Sequence, residues 1–318
     1  MYLIIQIPCL NEEDTLPETI SDLPRQVEGF DRVEWLVIDD GSTDMTVGVA
    51  KQIGVDHVVS HPHNKGLAAT YMTGLDAALR LGADVIVNTD ADNQYDASGI
   101  HDLVQPILEG QADMVVGERP IEQIEEFSRV KKLLQRLGSR VVRAFSGTEV
   151  RDAASGFRAV NRSTAIRLRV FGRYTYTMET LVQAGWEGLV VKSVPVGVNP
   201  KTRESRLVRS IPQYVFRSAT TIIRTFALYK PFRFFVSLAA PFFLVGTALL
   251  IRWTLYYFFS VTYGSRLPSL YFGLSSLLIA LQFMCLAFIA DNVAANRRLT
   301  AEILRKDRQR ELDSLRQK

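Results

Sequence analysis

The sequence predicts a doubly wound, mainly parallel α/β sheet, followed by interfacial amphipathic helices and a two-helix transmembrane hairpin. Three observations predict it. Short apolar runs rich in β-branched residues alternate with helical stretches through residues 1–206. Nearly every run breaks off into a cluster of polar residues. Two long apolar stretches then follow, at about 232–259 and 267–290. A strand buried on both faces of a parallel sheet reads as a continuous hydrophobic run. Strands alternating with helices imply a parallel sheet.

Tyr2–Ile7 reads as a first buried strand that Pro8 ends. A helix follows with Pro17 near its start, where proline is tolerated. Val33–Ile38 is a second strand, and Ser42 or Thr43 is the expected cap of a helix reaching Ile53. Val55–Ser60 is a third strand. Asn64, Lys65 and Gly66 open a helix to Leu81, and Gly82 stops it. A strand at Val85, a helix over Ile100–Glu109 and a strand over Met114–Gly117 complete the alternation. Further on, a helix through Ala184 and Gly185 precedes a strand over Leu189–Val198.

The stretch Ala83–Asp96, ADVIVNTDADNQYD, is the most informative. Its apolar run ends in Asp90, Ala91, Asp92, Asn93 and Gln94. In extended chain, residues two apart point the same way, so Asp90, Asp92 and Gln94 can converge. Two carboxylates and an amide oxygen form a hard site suited to Mg²⁺ or Mn²⁺ rather than zinc or copper. Open α/β sheets bind ligands beyond the carboxyl ends of their strands. By itself the stretch reads equally as an acidic turn. There is no GxGxxG and no GxxxxGK[ST], so neither a dinucleotide fold nor a P-loop is supported.

The motifs IPCLNEE, IDDGSTD, HNKGLAA, TDADNQ and DAASGFRA occur in the order and spacing of family 2 glycosyltransferases with a GT-A fold. Over residues 3–230 the chain most resembles the polyprenyl-phosphate glycosyltransferases, the dolichyl-phosphate mannose synthase group. The resemblance implies an inverting transferase that moves one sugar from a nucleotide diphosphate sugar to a polyprenyl phosphate, undecaprenyl or dolichyl. It makes Asp90, Asp92 and Gln94 the holders of Mg²⁺ or Mn²⁺. Pro8, Asn11, Glu12, Asp39, Asp40, Lys65, Gly66, Asp90, Ala91 and Asp92 would bind the nucleotide sugar. Asp152 is its candidate base, with Asp92 as the second catalytic carboxylate. Cys9 and Leu10 depart from the Ala-Tyr pair common in the family, which puts in doubt an aromatic stacked on the base.

A lipid phosphate needs little deprotonation, because a phosphomonoester with a second pKa of about 6 is largely a dianion near neutral pH. It needs positive charge and positioning instead. Asp152 can therefore orient a partner, such as Arg158 or the sugar, rather than take a proton. Arg129, Ser155, Arg158, Arg203 and Arg206 are the candidate lipid-phosphate ligands, arginine being suited to bidentate phosphate contacts. Glu179 is a candidate for a sugar hydroxyl. Residues 110–147 are basic, with apolar positions at helical spacing, which fits either a core-facing helix or a membrane-surface one.

The expected domains are a catalytic domain over 1–206, an interfacial helix over 207–230, a transmembrane hairpin over 231–292 and a basic tail over 293–318. Arg209, Arg217 and Arg224 among aromatic and aliphatic residues suit an interfacial helix on anionic lipid. Each long apolar run is long enough to cross ~30 Å of hydrocarbon. From Arg297 the tail holds eight basic and four acidic residues, which places it and the catalytic domain on the cytoplasmic side. A prokaryotic plasma membrane is the expected location. The tail reads as a solvated helix, a membrane-surface helix or a homo-oligomer contact through Leu299, Ile303 and Leu312.

Net charge +3 over 318 residues gives no case for nucleic acid as a partner. Cys9 and Cys285 sit in unlike segments, so no disulfide framework is expected and a reducing compartment is indicated. No leader is expected, since Met1–Pro8 already reads as a strand. A uridine donor carrying glucose or N-acetylglucosamine is favoured, with GDP-mannose open. Two alternatives stand beside the transferase. A sugar nucleotidyltransferase would normally start with a glycine-rich phosphate loop, which is absent. A non-catalytic membrane scaffold would not need the intact Asp90, Asp92 and Gln94.

Overall fold

A computed structural model describes residues 1–120, 136, 138–140, 142–143, 146–170, 175–200, 220, 223–224, 226–259 and 267–316. Two compact units divide the chain, one comprising Met1–Ile222 with Arg305–Lys318, the other Ile223–Leu304.

The first unit is built on seven strands: β1 (Tyr2–Cys9), β2 (Arg32–Asp39), β3 (His57–Ser60), β4 (Val85–Asn88), β5 (Met114–Glu118), β6 (Arg158–Asn161) and β7 (Val191–Pro195). Their order is β3-β2-β1-β4-β6-β5-β7. The helices are α1 (Leu16–Asp22), α2 (Thr46–Gln52), α3 (Leu67–Leu81), α4 (Ile100–Leu108), α5 (Arg162–Arg167) and α6 (Thr177–Trp186). All strand pairs are parallel except those of β6, which runs antiparallel to both β4 and β5. The sheet is therefore mixed, mainly parallel.

β1 is central because nearly every residue in it is apolar and buried. Odd-numbered Leu3, Ile5 and Ile7 pack with Val85, Val87 and Val115 under α1 and α4. Even-numbered Ile4 and Gln6 face the other way, and α3 lies against β1 and β2. Gly74 makes that contact possible, since a Cβ there would meet Gln6 Oε1 at 2.4 Å. The strand continues through Pro8 to Cys9, pairing with β2 out to Cys9↔Asp39. Pairing with β4 has already stopped at Gln6↔Asn88, so on that side the ladder asks nothing of proline's missing N–H.

Local expectations are met at α3, which ends at Gly82 with φ 96°. They fail at α2, where helical residues begin only at Thr46 and Asp44 accepts the Thr46 amide. Ser42 and Thr43 instead bond to Asn11. β6 and α5 carry no clear sequence signal.

In the second unit, α7 (Pro231–Phe259) and α8 (Leu267–Arg316) are each long and apolar enough to cross a membrane. They pair antiparallel, with Phe232 against Phe288 and Phe242 against Phe283. Gly246 and Gly273 mark a close approach, where a Cβ on Gly246 would stand 3.0 Å from the Gly273 carbonyl. Ser276 donates to the Phe242 carbonyl at 2.8 Å across the pair. α8 continues without a break into the basic tail. Within the first unit, its last turns pack on α3: Arg308 pairs with Asp76 at 2.8 Å, Arg80 with Glu311 at 2.8 Å, and Leu312 is buried.

Candidate active site

The carboxyl ends of β1, β2, β4 and β5 bring together most of the predicted residues. From β4 the chain turns at Ala91–Asp92, and Asn93 takes φ 50°, a conformation asparagine tolerates. The segment is thus not extended as the sequence reading assumed. Burial still alternates: Ala91, Asn93 and Tyr95 are buried, while Asp90, Asp92 and Gln94 keep a minor part of their surface exposed.

Asp90 is the electrostatic centre. Burial and the neighbouring Asp92 charge push its carboxyl up to about 7, against the pull of Arg119. Gly156 lies so close that a Cβ there would meet Asp90 Oδ1 at 2.9 Å. Asn88 donates to the Gly156 carbonyl and to the Tyr176 hydroxyl, both at 2.9 Å, and accepts from Gln6 at 2.9 Å. Tyr176 in turn donates to the Gly156 carbonyl at 3.3 Å. The Gly156 amide donates to the Tyr95 hydroxyl at 2.9 Å. A buried polar network therefore fixes the floor beneath Asp90.

Two adjacent carboxylates, one resisting ionisation, fit a hard divalent cation, which would relieve their repulsion. Gln94 adds an amide whose side chain has no hydrogen bond among the described residues. No group of three or more His, Cys, Asp or Glu suited to a metal occurs among the described residues. The donor set thus suits an open site completed by water and phosphate, as Mg²⁺ prefers, and not a closed protein cage.

Three assignments are corrected by burial. Arg158 is 1% exposed, and its guanidinium donates to the carbonyls of Ser155, Thr177 and Ala153 and to Thr180 Oγ1, at 2.7–2.9 Å. It is a tie between loops and cannot meet a lipid phosphate from there. Ser155 is fully buried beside it. Asp152 is also fully buried, and both its oxygens accept from Arg119, at 2.7 and 3.1 Å. It anchors an arginine and is not placed as a free base. Burial alone would pull the Arg119 guanidinium down, but Tyr95 and Asp152 outweigh it and hold it above the arginine range.

Arg119 itself was missed as a site residue. Its position just past β5 was the available signal. Its Nη1 has no partner among the described residues. Arg129, Arg203 and Arg206 lie outside the described residues, as does most of the expected interfacial helix.

At the nucleotide end, Asp39 accepts the Ser42 amide at 3.0 Å through Oδ1, leaving Oδ2 without a partner among the described residues. Asp40 departs from its expected role as a ligand of the nucleotide sugar. It is 4% exposed and filled by the amides of Lys65 and Gly66 and the ring of His61. The Lys65 side chain is exposed. Pro8 and Glu12 are buried, and Glu12 accepts from Thr15 at 2.7 Å. Asn11 has φ 55° and accepts the Thr43 amide at 2.8 Å. Glu179 is 4% exposed within α6.

Known proteins match this architecture. The chain is 31% identical over 221 residues to UDP-N-acetylglucosamine–dolichyl-phosphate N-acetylglucosaminyltransferase of Methanococcus voltae, covering 62% of this chain and 84% of that protein. It is 26% identical over 204 residues to polyprenol monophosphomannose synthase of Mycolicibacterium smegmatis, covering 61% and 76%. Glucosyl-3-phosphoglycerate synthase from Mycobacterium tuberculosis, solved with Mn²⁺, UDP-glucose and phosphoglyceric acid, superposes with TM-score 0.57 at 24% identity over 71% of this chain and 78% of that one. That likeness shows the GT-A type of fold. Residues 4–169, more than half the chain, match the model described as Glycosyl transferase family 2, and the chain belongs to that family.

Proposed function

We propose that the protein transfers a sugar from a nucleotide diphosphate sugar to a polyprenyl phosphate at the cytoplasmic face of a membrane. The observation that carries this reading is the gathering of Asp90, Asp92 and the Asp152-held Arg119 just past the carboxyl ends of β4 and β5. Acidic and basic groups there divide the work between two phosphate-bearing substrates. The polyprenyl-phosphate names of the relatives and the two long apolar helices support the lipid acceptor. A uridine donor with N-acetylglucosamine or glucose is preferred, since the Methanococcus voltae relative is the more similar of the two compared above.

Asp90, Asp92 and Gln94 would hold Mg²⁺ or Mn²⁺, which would offset charge on the leaving diphosphate. Asp39 Oδ2, which has no partner among the described residues, would accept a hydrogen bond from the nucleoside. The acceptor phosphate is already nucleophilic, and its obstacle is repulsion from the donor. Two like charges about 5.5 Å apart repel by about 3 kcal/mol at an effective dielectric of about 20. Arg119, held by Asp152, supplies compensating charge through its Nη1 edge, and Arg129, Arg203 and Arg206 are proposed to add more from the membrane side. Direct displacement by the phosphate oxygen inverts the anomeric centre.

The test uses detergent-solubilised full-length protein, a panel of radiolabelled UDP and GDP sugars and a short polyprenyl phosphate. Transfer from a UDP sugar that EDTA abolishes, and that Asp92→Asn lowers by several orders of magnitude, is expected. Full activity in excess EDTA would remove the metal from the reading. Transfer only to soluble acceptors would remove the lipid.

A further inference from the structure

We propose that His61 is a positioning residue for the donor nucleotide, acting through Asp40. The inference rests on reading the ends of β1 to β3 as the nucleotide site. His61 follows β3 and is 7% exposed. Its Nδ1 lies 2.8 Å from Asp40 Oδ1 and its Nε2 3.0 Å from Thr73 Oγ1 on α3. Its own amide donates to the Asp39 carbonyl at 2.9 Å. Asp40 then accepts the Lys65 amide through Oδ1 and the Gly66 amide through Oδ2, both at 2.9 Å. A single chain of bonds therefore runs from the body of α3, through His61 and Asp40, to the turn that opens α3.

That turn needs holding. Gly66 enters the helix at φ 92°, a conformation that gives no local preference for one geometry. The loop after β2 touches the loop after β3 closely, for a Cβ on Gly41 would stand 2.7 Å from the His63 carbonyl carbon. Asp39, with its spare oxygen, ends β2, and Lys65, with its exposed ammonium, sits on the loop after β3. Their spacing is set by how Asp40 lies between them. With Asp40 as acceptor, Nδ1 carries a proton, and Nε2 pairs with the Thr73 hydroxyl. Without that donor a buried carboxylate oxygen loses one bond and is free to rotate off the two amides. The loss falls on nucleotide affinity, because no step of the transfer involves His61.

The experiment titrates full-length protein in detergent with UDP and with GDP in the presence of Mn²⁺, alongside transfer kinetics. His61→Leu is expected to weaken binding of the preferred nucleotide by roughly tenfold, with kcat at saturating donor within about threefold of wild type. His61→Asn, which restores a donor toward Asp40, recovers most of the affinity. Should His61→Leu fail to fold, Thr73→Val decides: a loss of about threefold supports the proposal, and wild-type affinity overturns it. Unchanged affinity in His61→Leu, with weakened binding in Asp39→Asn, overturns the role of His61 and leaves the nucleotide site standing. Unchanged affinity in both Asp39→Asn and Lys65→Ala overturns the nucleotide site itself.

Discussion

Replacing Arg158 by methionine separates a structural arginine from a lipid-binding one. Methionine matches the stem and removes every donor. The carbonyls of Ser155, Thr177 and Ala153 then lose a charged donor in the dry interior, while Thr180 Oγ1 keeps its bond to the Tyr176 carbonyl. The Thr177 carbonyl keeps the Thr180 hydroxyl at 3.2 Å, so two carbonyls, those of Ser155 and Ala153, are stranded, at on the order of 1–3 kcal/mol each. Part is recovered, because burial holds the guanidinium pKa down and the desolvation of that charge disappears with it. A net destabilisation of about 2–4 kcal/mol remains. For a unit of this size that lowers Tm by roughly 10 °C. Thermal unfolding in detergent reads it directly, and transfer kinetics on the surviving fraction read the rest. Arg158→Lys should recover only part, since a single ammonium cannot span four acceptors. An unchanged Tm, together with a raised KM for polyprenyl phosphate alone, would refute the structural role and return Arg158 to the acceptor.

Asp152→Asn weakens the hold on Arg119, so its defect should be the same factor at pH 6 and pH 8; a milder defect at pH 8 would restore proton transfer to Asp152. Asp76→Arg or Arg308→Asp should each lower Tm slightly and the double swap recover only part, because the Asp76–Arg80 pair stays broken, with a coupling of about 0.5–1 kcal/mol for the partly exposed Asp76–Arg308 pair. Burial raises the Asp76 carboxyl, but Arg80 and Arg308 outweigh it and hold it below the ordinary range. Its contribution is therefore present above the unfolded carboxylate pKa and lost as pH falls, so Asp76→Asn should flatten the acid limb of the stability curve. Gly246→Leu should part α7 from α8 and speed proteolysis of the hairpin, since even a Cβ there would stand 2.8 Å from Leu277 Cγ.

The central strands were legible because double burial leaves a run with few polar residues, as in Val85–Val87. β6 was not, because Arg158–Asn161 is four residues long and begins with a charge. Its insertion between β4 and β5 reverses one strand, a choice made by tertiary packing rather than by local pattern. Carboxylates at strand ends announced the site, since strand ends in such sheets are where ligands gather. Their partners did not. Asp152 meets Arg119 across 33 positions, and Asp40 meets His61 across 21, pairings that no spacing rule encodes. Arg158 misled because arginine is by default a surface residue. Only the carbonyls around it reveal why it is inside.

The network beneath Asp90 also has a direction. Asn88 spends both amide hydrogens, on Gly156 and Tyr176, and the Tyr176 hydroxyl spends its only one on Gly156. Neither the Asn88 amide nor the Tyr176 phenol has a hydrogen left to hand onward. Through these two side chains the floor of the site is an insulator, with no wire for a proton. A proton moving to or from Asp90 therefore does not travel by way of Asn88 and Tyr176.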